Sequence, residues 1–205
     1  MPLAQPDPRV LRAASCGDRK AFQELVEAYR GPVLGYVGRL VRDPCLAEDL
    51  TQEVFLRVYQ RLPSFSDRSL FTTWLFQVAK NRVIDELRAQ HRRPELAAMV
   101  DGLPELEAAP SNGDSNELIE AIWQAVGQLK PSLKLPLLLR DVAGLTYLEI
   151  ADVLEIELSL VKWRIYRARE DIQGALALKG LGLDRSQPRP ARLAPTGTSP
   201  LPKPT

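Results

Sequence analysis

Between Leu158 and Glu170 the chain gathers Lys162, Arg164, Arg167 and Arg169 around Trp163 and Tyr166. Cations neutralise phosphates and donate to guanine edges, and aromatic rings pack on sugars and thymine methyls, so this mixture suits contact with nucleic acid. Val161, Ile165, Ala168 and Ile172 recur at three- and four-residue steps, which predicts a helix that buries them. At roughly 100° per residue the opposite face carries Trp163, Tyr166 and Arg167, with Lys162 and Arg169 on one flank and Arg164 on the other. Upstream, Thr146 and Glu149 are spaced as a capping box before Ile150, Ala151, Val153 and Leu154, and Ser159 is a candidate cap for the second helix. Two short helices around a tight turn, the second basic and aromatic, make a helix-turn-helix for reading duplex DNA. The plainer reading of this segment alone is a solvated amphipathic helix.

Two further segments carry polar chemistry. Over 44–61, Leu46, Leu50, Val54 and Val58 form an apolar stripe and leave Glu48, Asp49, Gln52, Glu53 and Arg57 pointing outward, a face that is acidic at its centre. Ordinary solvation would account for that face by itself. Over 69–91, Phe71, Trp74, Leu75 and Val78 give way to Lys80, Arg82 and Arg88, so one helix offers aromatics near its start and cations near its end, as single-stranded DNA requires. His91, the single histidine, lies in this basic run, where a solvated or phosphate-contacting role suffices. No partnered nucleophile, phosphate-binding lysine loop or set of metal ligands is legible, so neither an enzyme nor a cofactor is expected.

These faces need scaffolds, and 205 residues with 45% apolar content can build them, as two small helical domains rather than one large one. Asp7-Pro8 and Asp43-Pro44 each read as a cap followed by proline at the first helical position. Helices are expected near 8–15, 18–30, 32–42, 44–61 and 69–91, with 63–69 as a loop closed by Ser69. Residues 94–116 contain five acids and no Lys or Arg, with three prolines and two glycines, and read as a flexible acidic linker. A second helical unit follows over 117–183, with Leu118, Ile122, Val126 and Leu129 as one stripe. Pro131 should start a helix and Pro136 should kink or interrupt one. Residues 184–205, with six prolines, are expected to be disordered. The fold class is thus all-α, two small helical domains joined by the linker, the second ending in the helix-turn-helix.

The net charge of +1 is uninformative as a total, because charge is segregated along the chain. Cys16 and Cys45 have neither metal spacing nor the density of a disulfide scaffold and are expected to be reduced, buried thiols. No apolar run approaches the roughly twenty residues a membrane helix needs, and MPLAQPDP lacks the parts of a signal peptide, so a cytoplasmic location is expected.

Together, DLTQEVFLRVY (Asp49–Tyr59), FTTWLFQVAKNRVIDELR (Phe71–Arg88) and LTYLEIA…VKWRIYRARE closely resemble the bacterial extracytoplasmic-function sigma factors, in order and with an acidic linker between. The resemblance implies core RNA polymerase and promoter DNA, duplex and melted, as partners, with an anti-sigma factor as a candidate regulator. It implies that residues 1–93 dock on the polymerase clamp helices through Asp49, Gln52, Glu53 and Phe55. The same unit would read and open the minus-ten element through Phe65, Ser66, Asp67, Arg68, Ser69, Phe71, Thr72, Thr73, Trp74, Lys80, Asn81 and Arg82. It further implies that residues 117–183 read the minus-thirty-five element through Ser159, Lys162, Trp163, Tyr166 and Arg167, and that the acidic linker threads the RNA path of polymerase. Free members of the family tend to be occluded until polymerase separates their domains.

The chain departs from the family pattern at Glu155, where a turn glycine is usual, at Leu160, where a small hydroxyl residue is usual, and at Trp163, where a small residue is usual. Pro136 and the proline-rich tail are further departures. The alternative readings are a helix-turn-helix regulator acting on duplex DNA alone, which would not need the acidic 44–61 face or the aromatic-basic 69–91 helix, and a polymerase adaptor that does not melt promoters.

Overall fold

The computed structural model describes residues 3–41, 43–65, 70–92 and 117–181, and all regular structure among them is helical. The first group is α1 (Pro8–Ser15), α2 (Arg19–Gly38), α3 (Pro44–Arg61, ending in the 3-10 turn Leu62–Ser64) and α4 (Phe71–Arg92). The second is α5 (Glu117–Gln128), α6 (Pro131–Asp141), α7 (Tyr147–Leu154) and α8 (Leu158–Leu178). The expected linker 94–116, the tail 184–205 and the loop residues Ser66, Asp67, Arg68 and Ser69 lie outside the described residues.

Local signals set most helix starts. Asp7 and Asp43 accept hydrogen bonds from the amides of Arg9 and Cys45 while Pro8 and Pro44 occupy first positions that need no donor; Pro131 also opens α6, after Lys130, whose side chain makes no capping bond. Thr146 and Glu149 form both halves of the capping box on α7.

Tertiary packing overrides the local signals elsewhere. The expected break at Gly31-Pro32 does not occur: α2 runs through both residues, although Pro32 cannot donate to a preceding carbonyl. Val33, Tyr36 and Val37 beyond it are fully buried; each buried valine contributes roughly 1.5–3 kcal/mol, enough together to offset the ~3 kcal/mol a mid-helix proline costs. Pro136 likewise leaves α6 uninterrupted and is itself buried among Leu133, Leu137, Leu138 and Leu139. The cap expected at Ser159 is instead Glu157, without a side-chain bond, and Ser159 is the second residue of α8. Cys16 and Cys45 are exposed rather than buried, because each stands at a helix terminus away from the apolar stripe.

In the first group α2, α3 and α4 enclose Tyr36, Leu50, Val54, Leu62, Leu75 and Phe76, with Tyr36 and Phe76 edge to face at 5.6 Å. In the second, Val161, Ile165 and Ala168 of α8 are buried as the periodicity predicts, together with Leu137 and Leu138 of α6. The two groups share one apolar core, and α7 lies on α4. Gly35 permits close approach of α2 to the end of α6, since a Cβ there would stand 3.2 Å from Val142 Cγ1. The Arg39 guanidinium lies 3.5 Å over the Trp123 ring, and burial lowers its pKa from the usual value.

Glu155 closes α7 in the left-handed region (φ 56°, ψ 44°), the one non-glycine residue with positive φ among those described. A Cβ there costs roughly 1 kcal/mol, and its exposed carboxylate recovers little through an ion pair. Glu155→Gly should therefore stabilise the protein by about 0.5–1 kcal/mol in urea unfolding, against the usual penalty for introducing glycine.

Candidate polymerase and nucleic-acid interface

On the outer face of α3, Asp49 and Gln52 are exposed, as the stripe of Leu50, Val54 and Val58 requires. Phe55 is not on that face: it is 7% exposed and belongs to the core, a position its neighbour Glu53 does not share. Glu53 instead accepts a hydrogen bond from Arg82 of α4, whose other nitrogen reaches Glu86 at 3.0 Å. Arg57 approaches Asp85 at 3.9 Å, so a polar ladder ties α3 to α4. The hydrogen bond from Arg82 holds the Glu53 carboxyl below the usual carboxylate range, and the same bond raises Arg82.

Two features were missed in the sequence. Leu56 is 57% exposed one helical turn beyond Gln52 and Glu53, adding an apolar anchor to the acidic face. Arg57, Arg61, Lys80, Asn81 and Arg88 line a cleft of about 480 Å³ between α3 and α4, with Ile84 and Asp85. The four-residue spacing of Arg57 and Arg61 was the available signal, but it becomes informative only once α4 lies alongside.

The residues expected to contact the minus-ten element are, among those described, brought together and in part covered. Phe65, Phe71 and Trp74 form an aromatic cluster with centroids 5.0–6.0 Å apart, Phe71 buried and the other two half-buried. Thr72 and Thr73 are buried; Thr72 Oγ1 donates to Glu149 Oε1 at 2.6 Å, and Thr73 Oγ1 has no hydrogen-bond partner among the described residues. Lys80, 9% exposed, donates to the Val153 carbonyl at 2.7 Å and stands 3.8 Å from Glu155. Gln77 donates to the Asp152 carbonyl at 3.1 Å. Among the described residues of this set only Asn81 is fully open, and Arg82 is held between two carboxylates. Thr72 and Lys80, expected as DNA contacts, are thus enclosed by α7, whereas Phe71 is enclosed within its own group, edge to face with Tyr29 of α2 at 5.3 Å, and Thr73 is buried as well.

The face of α8 is as the helical wheel places it. Ser159, Lys162, Trp163, Tyr166 and Arg167 are all exposed, Trp163 by 57%. Part of its charge is internally matched: Arg167 reaches Asp171 at 3.0 Å and Glu170 at 3.7 Å, Tyr166 Oη donates to Glu170 at 2.7 Å, and Arg169 pairs with Asp141 at 2.8 Å.

The sequence matches the family models for Sigma-70 region 2 over residues 25–93 and Sigma-70, region 4 over residues 119–172. It is 34% identical over 180 residues to the RNA polymerase sigma-H factor of Pseudomonas aeruginosa, covering 83% of this chain and 93% of that one. It is 36% identical over 168 residues to the ECF RNA polymerase sigma-E factor of Escherichia coli, covering 76% and 86%. The fold is shared with the sigma factor RpoE of Bartonella quintana, solved with the anti-sigma factor NepR, at TM-score 0.66 and 22% identity over 78% of this chain and 98% of that one. CnrH, solved with the cytosolic domain of CnrY, gives 0.63 and 22% over 83% and 96%. The two Sigma-70 regions in this order, with relatives of 34% and 36% identity over most of the chain, define a transcription initiation factor. It belongs to the extracytoplasmic-function sigma factors. A regulator acting on duplex DNA alone is thereby set aside.

Because the folded Glu53 pKa lies below its unfolded value, the tie to Arg82 stabilises the fold above the ordinary carboxylate pKa of about 4.3 and is lost as pH falls through the depressed folded value. Glu53→Gln should lower the thermal midpoint at pH 7 by an amount worth under about 1 kcal/mol, as for exposed pairs, and the difference from the parent should vanish in strong acid.

Proposed function

We propose that residues 1–93 dock on core RNA polymerase through Asp49, Gln52 and Glu53, with Leu56 as the apolar anchor in place of Phe55. Specific capture of a base from the minus-ten element by Phe65 through Ser69 and the start of α4 would open the duplex without a fuel. The unstacking cost, a few kcal/mol per base, is offset by stacking on the half-buried Phe65 and Trp74 rings and by hydrogen bonds to the extruded base. Lys80, Asn81 and Arg82 follow on the same helix, toward the basic cleft. Residues 117–183 would read the minus-thirty-five element with Ser159, Lys162, Trp163, Tyr166 and Arg167, while residues 94–116 thread the cationic RNA path. Polymerase carries out the chemistry, and the protein works in the cytoplasm.

The observation that carries this reading is the contrast between the two DNA faces. The α8 face is open, and the start of α4 is covered by α7 through Thr72–Glu149 and Lys80–Val153. That is the arrangement of a factor at rest. Duplex contacts are available, strand-opening contacts are withheld, and polymerase, binding both modules at separated positions, exposes the second set. The same seam is where an anti-sigma factor would act.

Transcript start mapping on genomic DNA with purified core polymerase, with and without the protein, tests the assignment. New starts sharing a two-part upstream motif are expected; polymerase binding without new starts would favour the adaptor. Asp49→Lys should weaken core binding by several kcal/mol in a fluorescence titration, since the acidic face would meet its basic partner with the wrong sign. Arg167→Ala should weaken binding to the upstream duplex by about 1–3 kcal/mol.

A further inference from the structure

The segment ahead of α1 crosses from one helical group to the other. The Leu3 amide donates to the Gly144 carbonyl in the turn between α6 and α7 at 3.1 Å. The Ala4 carbonyl accepts from Tyr29 Oη of α2 at 2.8 Å, and Asp7 then caps α1. Between them, Gln5 Nε2 donates to Thr72 Oγ1 and reaches Glu149 Oε1 at 3.5 Å, and its Oε1 accepts from the Thr72 amide at 3.4 Å. Glu149 Oε2 meanwhile holds the Thr146 amide at 2.9 Å. One carboxamide therefore joins the first turn of α4 to the capping box of α7.

The chemistry explains why a glutamine does this. Thr72 is the second residue of α4, so its amide has no intrahelical acceptor, and Glu149 is a buried carboxylate with lone pairs to fill. A carboxamide carries an acceptor and two donors on one planar group, and serves both at once. Leu3 and Pro6 add apolar contact around a cavity of about 190 Å³ against Val10, Leu25 and Tyr29.

We propose that residues 3–7 form a clasp that docks in the seam between the two modules and holds them closed, and that its release is a separate step in exposing α4. This rests on the reading of α4 as the strand-opening helix only for its consequence; the clasp itself is a property of the free protein. The link made by Gln5 then involves three groups, Gln5, Thr72 and Glu149, of which Thr72 is also a candidate DNA contact. The clasp and the promoter compete for the same hydroxyl.

The test uses the full chain with fluorophores at Cys45 and at Gln173→Cys, both exposed, in a Cys16→Ser background. Gln5→Leu, Gln5→Glu and deletion of residues 3–6 are compared with the parent by energy transfer and by amide exchange. The population with separated modules should rise roughly 5- to 30-fold in Gln5→Leu, the equivalent of one or two hydrogen bonds. It should rise further in Gln5→Glu, where two carboxylates meet. Exchange should quicken in 71–80 and 146–154 while α3 and α8 stay protected. Unchanged transfer and exchange in Gln5→Leu and Gln5→Glu would overturn the clasp, whatever transcription shows, and these point variants decide should the deletion fail to fold. Start mapping with core polymerase in parallel reads the sigma role independently, because polymerase separates the modules with or without the clasp.

Discussion

A helix that buries polar side chains against a neighbouring helix has to satisfy their hydrogen bonds there. Burying a hydroxyl or an ammonium without a partner costs several kcal/mol, so the inner face of α4 is stable only if something supplies acceptors. Here α7 supplies them: a carboxylate for Thr72 and backbone carbonyls for Gln77 and Lys80. Two of those acceptors lie in the last turn of α7, where helix carbonyls lack intrahelical donors and carry the negative end of the helix dipole. Each module thus completes the hydrogen bonding of the other, and the closed arrangement follows from that constraint.

On the proposed function the seam must also come apart. Most of its polar contacts are hydrogen bonds, each with a net contribution of about 1 kcal/mol, supplemented by Arg39 on Trp123 and apolar contact such as Gly35 with Val142. Polar interfaces of that character within one chain resemble transient ones, although here the apolar core continues across the seam. Glu149 shows how economically the switch is built. Its Oε2 belongs to the local cap of α7 and its Oε1 to the seam, so opening removes one set of contacts and leaves the helix capped.

The features legible in the sequence are those decided within one helical turn or one period. The caps at Asp7, Asp43 and Thr146, the stripe of Val161, Ile165 and Ala168, and the opposite face of Trp163 and Tyr166 need only local geometry. The misreadings come from longer range. Pro32 and Pro136 sit inside helices because the burial around them outweighs one lost hydrogen bond. Phe55 adjoins the acidic face in sequence but turns inward with Val54 and Thr51, and the Arg57, Arg61 and Arg88 cleft exists only across two helices. Gln5 carried no signal at all, since its partners lie 67 and 144 residues away.

The charge pattern on α8 bears on how such a protein avoids the wrong DNA. Each phosphate neutralised adds roughly −0.9 to the salt slope, and non-specific affinity grows with the number of available cations. Arg167 and Arg169 are already matched by Glu170, Asp171 and Asp141, so among the described residues Lys162 and Arg164 are the cations of this face without an ion pair. A helix with part of its charge internally satisfied binds arbitrary duplex weakly. It exchanges those pairs only where base edges reward the exchange, as the two donors of a guanidinium do at guanine. On the proposed docking of polymerase at α3 the weakness is tolerable, because promoter DNA is then presented at high effective concentration and the second module needs to discriminate more than to hold.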